Sequence, residues 1–390
     1  MKSTNVHSGK LPLVATAVFA AFVSYWTLSN WNSAPAFNND IESARQLFSF
    51  SPHLSILLND LVLAAFGTTG QIVLGFIIFP TISFFVLFKI FNRHIGSLWS
   101  LAISVCALVS YSNYPFRQFL GELMTGMGWA ELSSVRHLEI MGFPIPAFST
   151  FYFLTLFYFS TSTQSLVNVR RATVLTTLWA LFIQIHPVDA IFGLTFWFTY
   201  LPIRLYRQRK GAEISQIAKT VLQQVAIAFI ITLPAILGLK ETVLETPASA
   251  FIPSYYYVVY FILPIFAMTV IYFVQRVDPF EIIFKFWHVY MLILVEFTLV
   301  ALADMFRFGI HPEIIQTRIP LFLLHFYYYV PVIYFSTKPY QEYSIGPEAH
   351  PVSIRLHKAV HMFFNEFSRV YLSFTLVILF LFALSRTINM

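Results

Sequence analysis

The side chains able to do chemistry sit in a few short polar stretches of an otherwise apolar chain. The first is Asn38-Asn39-Asp40-Ile41-Glu42, followed by a stretch of helical character over 43–50. A carboxylate at such a junction has two uses. It accepts from orphan backbone N–H groups as an N-cap, or it serves as a general base or metal-binding carboxylate. Glu42 and Asp60 offer the same carboxylate chemistry, against the simpler role of solvated surface groups. A second stretch, 115–147, holds Arg136 beside His137. An arginine fork binds phosphate through paired charge-assisted bonds, and the competing role for Arg136 is an ion pair with Glu131 or Glu139. The third is the turn Gln184-Ile185-His186-Pro187-Val188-Asp189, where His186 and Asp189 either form an ionisable site or make a plain turn with Asp189 capping the next helix. The fourth runs from Asp304 through Arg307, His311 and Glu313 to Gln316-Thr317-Arg318. There Arg307 and Arg318 either grip a phosphate or, for Arg318, snorkel to the lipid surface. Glu296 stands apart inside an apolar run, where a carboxylate is costly and faces a bundle interior, either for packing or along a path.

The elements that must hold these groups are apolar helices. Of 390 residues 57% are hydrophobic and 11% charged, against about 25% charged in soluble domains. A spanning helix needs roughly 20 apolar residues, and runs of that kind recur near 11–29, 69–91, 97–114, 148–167, 172–186, 188–204, 219–239, 255–275, 281–303, 316–337 and 368–387. The expected fold is all-α: a polytopic integral membrane protein of about eleven transmembrane helices in one domain over 1–390. The pair around His186-Pro187 has a short first member and is alternatively a re-entrant hairpin. The segment 54–66 is apolar but too short to span, and is expected as an interfacial helix in the first outer loop, with Asn59 and Asp60 facing water. The run 11–28 is long for a signal peptide, so the first helix is expected to be retained.

Charge tests this map. Lys2, Lys89, Arg93, Arg170, Arg171, the cluster Arg204 to Lys219, Arg276 and Lys338 fall in one set of loops, and few basic residues fall in the other. The bias alternates at each crossing. It places the N-terminus in the cytoplasm and the C-terminus outside, in the cell (inner) membrane. The net charge of +6 is therefore a topology signal rather than a nucleic-acid footprint, and membrane lipids are the expected surroundings. Cys106 has no second cysteine to pair with, and no Cys/His cluster points to a structural metal.

The layout resembles the GT-C-type membrane glycosyltransferases. Asn38-Asn39-Asp40 looks like their acidic position soon after span one. The run from Phe88 to Gly96 (FKIFNRHIG) is similar to their short basic turn between early spans, and Gln316-Thr317-Arg318-Ile319-Pro320 to their late arginine segment. The acidic pair common in that family is adjacent there, whereas Ile41 separates Asp40 from Glu42 here. The resemblance implies transfer of a sugar from a lipid-linked, polyprenyl-phosphate donor at the outer face. Asp40 would be the catalytic base, and Arg136, Arg307 or Arg318 would hold the leaving phosphate. Some members use a divalent metal, which the carboxylates here do not require. Competing readings are a polysaccharide polymerase or ligase, a transporter or flippase with Glu296 and His186 along its path, and an assembly factor without chemistry.

Overall fold

Long apolar stretches without turn residues satisfy their backbone groups most simply as helices, and they do so here wherever the structure, a computed structural model, describes them. The described residues are 10–29, 54–109, 147–162, 168–208 and 214–237, with the single positions Val330, Tyr334, Ala359 and Met362. In order these form α1 (Lys10–Ser29), α2 (Leu54–Ile72), a π-helical turn (Val73–Ile78), α3 (Phe79–Phe91), α4 (Ser97–Val109), α5 (Ala147–Thr161), α6 (Val169–Leu181), a 3-10 turn (Phe182–Gln184), α7 (Pro187–Gln208) and α8 (Ile214–Leu237). Among the described residues there is no strand. The expected helices at 255–275, 281–303, 316–337 and 368–387 lie outside them.

Two of the described helical stretches, Leu54–Phe91 and Ile214–Ala235, are long and apolar enough to cross a membrane. The first has 38 residues, about 57 Å of straight helix and roughly twice a hydrocarbon core. It is not straight. Gly67 adopts φ 64° and ψ −166°, a conformation open to glycine and costly for other residues, so 54–66 and 68–91 are separate helical rods. This is the boundary expected between an interfacial helix and a span. Across the break the Gln71 side-chain amide donates to Asn59 Oδ1 at 2.6 Å. Asn59 is accordingly 8% exposed, a correction to its expected place in water, whereas Asp60 is exposed. The reason is local: an amide beside a second amide gains a hydrogen bond by turning inward. One turn later Phe79 N–H reaches back to Leu74 O, a widened turn just before Pro80. The proline ring would press on the carbonyl four residues earlier in an ordinary α-turn.

Ring contacts give the helix directions. Phe79, at the start of α3, meets Phe148 at 5.1 Å and Phe151 at 5.5 Å, and Arg93, just past the end of α3, meets Tyr158 and Thr161. Hence α3 and α5 run parallel. Between them α4 folds back from α3 through a tight turn in which Ser97 Oγ donates to Asn92 Oδ1 at 3.1 Å. Next, α6 runs against α5, with Arg171 at the Phe159 carbonyl and Phe182 stacked on Tyr152. Then α7 follows α5 in the same sense, Phe192 against Phe153 and Phe196 against Phe157. Beside α6, α8 is tied on by Gln224 Nε2 donating to Thr173 Oγ1 at 3.2 Å. One end of the bundle therefore gathers Arg93, Arg171 and Arg204, and the other carries the turn 182–189.

The centre of α5, α6 and α7 is aromatic: Trp179, Trp197, Phe153, Phe157, Phe182 and Phe196 are fully buried. Each indole N–H, costly to bury alone, has an acceptor, Ser160 Oγ at 3.0 Å for Trp179 and Thr176 Oγ1 at 2.8 Å for Trp197. α1 joins through Phe19, stacked on Phe84 at 4.5 Å.

Candidate functional site

The turn between α6 and α7 is built by its backbone. The N–H groups of Ile185 and His186 both donate to Phe182 O at 2.9 Å, which closes α6 with a 3-10 turn. Pro187 then opens α7 at a position where a missing N–H costs nothing, and Ala190 N–H donates to His186 O at 3.0 Å. Asp189 falls in the first turn of α7, near the positive end of the helix dipole.

This places two ionisable side chains together inside the protein. His186 Nδ1 lies 2.9 Å from Asp189 Oδ2, and the residues are 4% and 1% exposed. The Asp189 N–H also points at Nδ1, at 3.3 Å. The imidazole and the carboxylate are thus in contact through Nδ1, the nitrogen that also receives the Asp189 N–H. Among the described residues neither Asp189 oxygen accepts a hydrogen bond from a backbone N–H. The carboxylate is thus not an N-cap; it holds an imidazole. A carboxylate beside an imidazole fixes the orientation of the ring, the arrangement that proton-transfer sites use. A buried pair of this kind needs a reason to persist, since two apolar residues pack at no greater cost.

The opposite end carries a second constellation. The last carbonyls of a helix lack partners within it, and at the end of α5 arginines from three elements supply them. Arg93 Nη1 donates to Tyr158 O at 3.2 Å and to Thr161 Oγ1 at 3.4 Å, with its guanidinium 3.6 Å from the centre of the Tyr158 ring. Arg171 Nη2 donates to Phe159 O at 2.9 Å. Arg204 is 4% exposed and donates through Nη1 to Ser160 O and through Nη2 to Ser162 O. Cations at a helix C-terminus also complement its dipole. Arg171 pays for this locally, since it sits in the first turn of α6, whose positive end disfavours it. That turn is held by Asn168, whose side chain accepts from Arg171 N–H at 2.8 Å.

Of the residues singled out from sequence, the structure brings His186 and Asp189 together and leaves Asp60 exposed on α2. Asp40, Glu42, Arg136, His137, Glu296, Arg307 and Arg318 lie outside the described residues. Among the described residues no three of His, Cys, Asp and Glu come together. Sequence reading placed Arg204 in a loop with Arg207 and missed the arginine cluster. α7 in fact continues to Gln208, so Arg204 lies within the helix. The signal was present as arginines at the borders of several apolar runs; their convergence was not. Compared with family models, curated proteins and solved structures, the chain matches none.

Proposed function

We propose that this chain is a polytopic integral membrane protein of about eleven spans that transfers a sugar from a polyprenyl-phosphate donor, with polar chemistry at the bundle end bearing His186 and Asp189. The membrane reading is carried by α8, which is inside out by the standards of a water-soluble protein. Most of its inward residues are small or polar: Thr220, Gln224, Ala228, Thr232 and Ala235 are buried, with Ile217 as the large apolar exception. Large apolar residues stand on its outward face, with Leu222 68%, Phe229 56% and Ile230 69% exposed, and exposed Lys219 and Gln223 lie nearer its start. Helices in lipid pack this way, because small residues allow close approach, polar ones bond across helices, and apolar ones meet acyl chains. The segregation of arginines to one end supports an alternating path through the bilayer, with that end in the cytoplasm.

Support for glycosyl transfer comes from the resemblance at Asn38-Asn39-Asp40 and Gln316-Thr317-Arg318, with Asp40 as base and Arg136, Arg307 or Arg318 at the leaving phosphate. Glu42, His137 and Glu296 stand as accessory candidates. The test is a transfer assay in membranes containing the full chain, with radiolabelled polyprenyl-phosphate sugars. Asp40→Asn is expected to abolish transfer at unchanged protein level. Undiminished transfer, or cellular glycans identical to wild type, would remove the catalytic assignment. A reporter fused after Gly211 is expected in the cytoplasm, and an outside location overturns the orientation.

The buried His186–Asp189 pair also favours a second reading, a proton-coupled transporter. Reconstituted vesicles that take up protons with a solute, and lose uptake in Asp189→Asn, would select it over the transferase.

A further inference from the structure

We infer that the arginine end of the bundle binds the headgroup phosphate of an anionic phospholipid, at Arg93 and Arg171. This goes beyond the catalytic reading and rests on the membrane reading alone. Three guanidinium groups serve the last turn of one helix, and the acceptors of Arg93 and Arg171 are neutral carbonyls, a hydroxyl and a ring face. Among the described residues neither Arg93 nor Arg171 has a carboxylate partner. Each guanidinium carries five N–H donors. Arg93 spends one nitrogen, Nη1, on Tyr158 O and Thr161 Oγ1, and Arg171 spends Nη2 on Phe159 O. The Tyr158 ring faces the Arg93 guanidinium, so the donors that remain lie along its edge. Arg93 is exposed and Arg171 half-buried, with exposed Arg170 beside it. A planar edge of this kind suits a phosphate oxygen pair.

The same end also shows bare apolar side chains. Phe159, whose carbonyl Arg171 holds, is 48% exposed, Val169 is 43% exposed and Leu98 is 73% exposed. Charge that asks for an anion beside surface that asks for hydrocarbon describes one ligand, an amphiphile with a phosphate head. Basic sites between helices at the cytoplasmic side of a bilayer take such headgroups. A free phosphate would use the arginines and leave Phe159 and Val169 in water.

The experiment uses the purified full chain in detergent, titrated with phosphatidylglycerol or phosphatidylcholine and read by native mass spectrometry. The wild type is expected to retain phosphatidylglycerol preferentially, and Arg93→Gln/Arg171→Gln to bind it about 30-fold more weakly, the loss of two surface cations. Should that variant fail to fold, Val169→Glu leaves the carbonyl contacts intact and sets a negative charge beside Arg170; it is expected to weaken binding about tenfold. Equal binding of the two lipids by wild type, or wild-type affinity in either variant, overturns the inference. So does displacement of the lipid by glycerol phosphate at equal concentration, which would identify a free-phosphate site. Alkaline carbonate extraction separates the two readings. A chain released by carbonate defeats the membrane reading, whereas a carbonate-resistant chain with no lipid preference defeats this inference alone.

Discussion

The indole of Trp179 in α6 rests on the backbone of Gly193 in α7, in the space that a side chain at 193 would occupy. This contact sets how closely the two helices approach, and it lets the Trp179 N–H reach Ser160 on α5. Gly193→Ala is therefore expected to push the indole off its site and break that hydrogen bond. The loss should be about 2–3 kcal/mol, typical of overpacking a dense core. Thermal unfolding in detergent measures it. Ser160→Ala, which removes the acceptor but adds no bulk, should cost about 1 kcal/mol. Equal stability of Gly193→Ala and wild type would show that the helices are not in contact here.

The His186–Asp189 pair separates stability from activity. Asp189→Asn keeps the shape but takes the carboxylate away from the imidazole, so activity should fall by about 10²-fold or more while expression holds. The double change His186→Leu/Asp189→Leu removes both buried polar groups together. It should leave stability equal or higher, by up to about 4 kcal/mol, and abolish activity. A double variant with wild-type activity would make the pair a structural turn and nothing else.

At the other end, Arg204 is buried and serves two carbonyls, so Arg204→Gln leaves orphan acceptors at the end of α5. The expected cost is about 3 kcal/mol, in the range for losing charged hydrogen bonds at a buried site. Arg204→Lys should recover part of this, since an ammonium lacks the fork that spans both acceptors. Arg93→Gln, at an exposed position, should cost about 1 kcal/mol. Melting temperatures in this order, with Arg204→Gln lowest, are the outcome to check.

Gly67 is the hinge between 54–66 and 68–91. Gly67→Ala places a side chain in an extended positive-φ conformation, which costs about 1–3 kcal/mol, and the strain is relieved if the rods straighten into one helix. Spin labels at the exposed positions Leu57 and Ile82 should then move apart in the variant, with a longer electron–electron distance than in wild type. An unchanged distance would mean that the Gln71–Asn59 bond alone holds the bend.

Much of the architecture was written in local pattern. Apolar runs near 11–29, 97–114, 188–204 and 219–239 fall on the helices at 10–29, 97–109, 187–208 and 214–237, and the break near residue 67 follows from a segment too short to span beside one long enough. The alternating loop charge predicts alternating helix directions, and among the described residues α6 does run against α5 and α7. That His186 and Asp189 lie close together was legible from their spacing of three residues at one turn. Three features were not legible. Asn59 turned inward because Gln71, twelve residues away across a bend, offered it a partner. Asp189 took the imidazole instead of capping backbone, a choice set by the tight 3-10 turn before it. And Arg93, Arg171 and Arg204, spread over more than a hundred residues of chain, serve one helix end. Hydropathy and charge act residue by residue and can be summed along a chain. Hydrogen bonds depend on distance and direction between groups that meet only once the helices have packed.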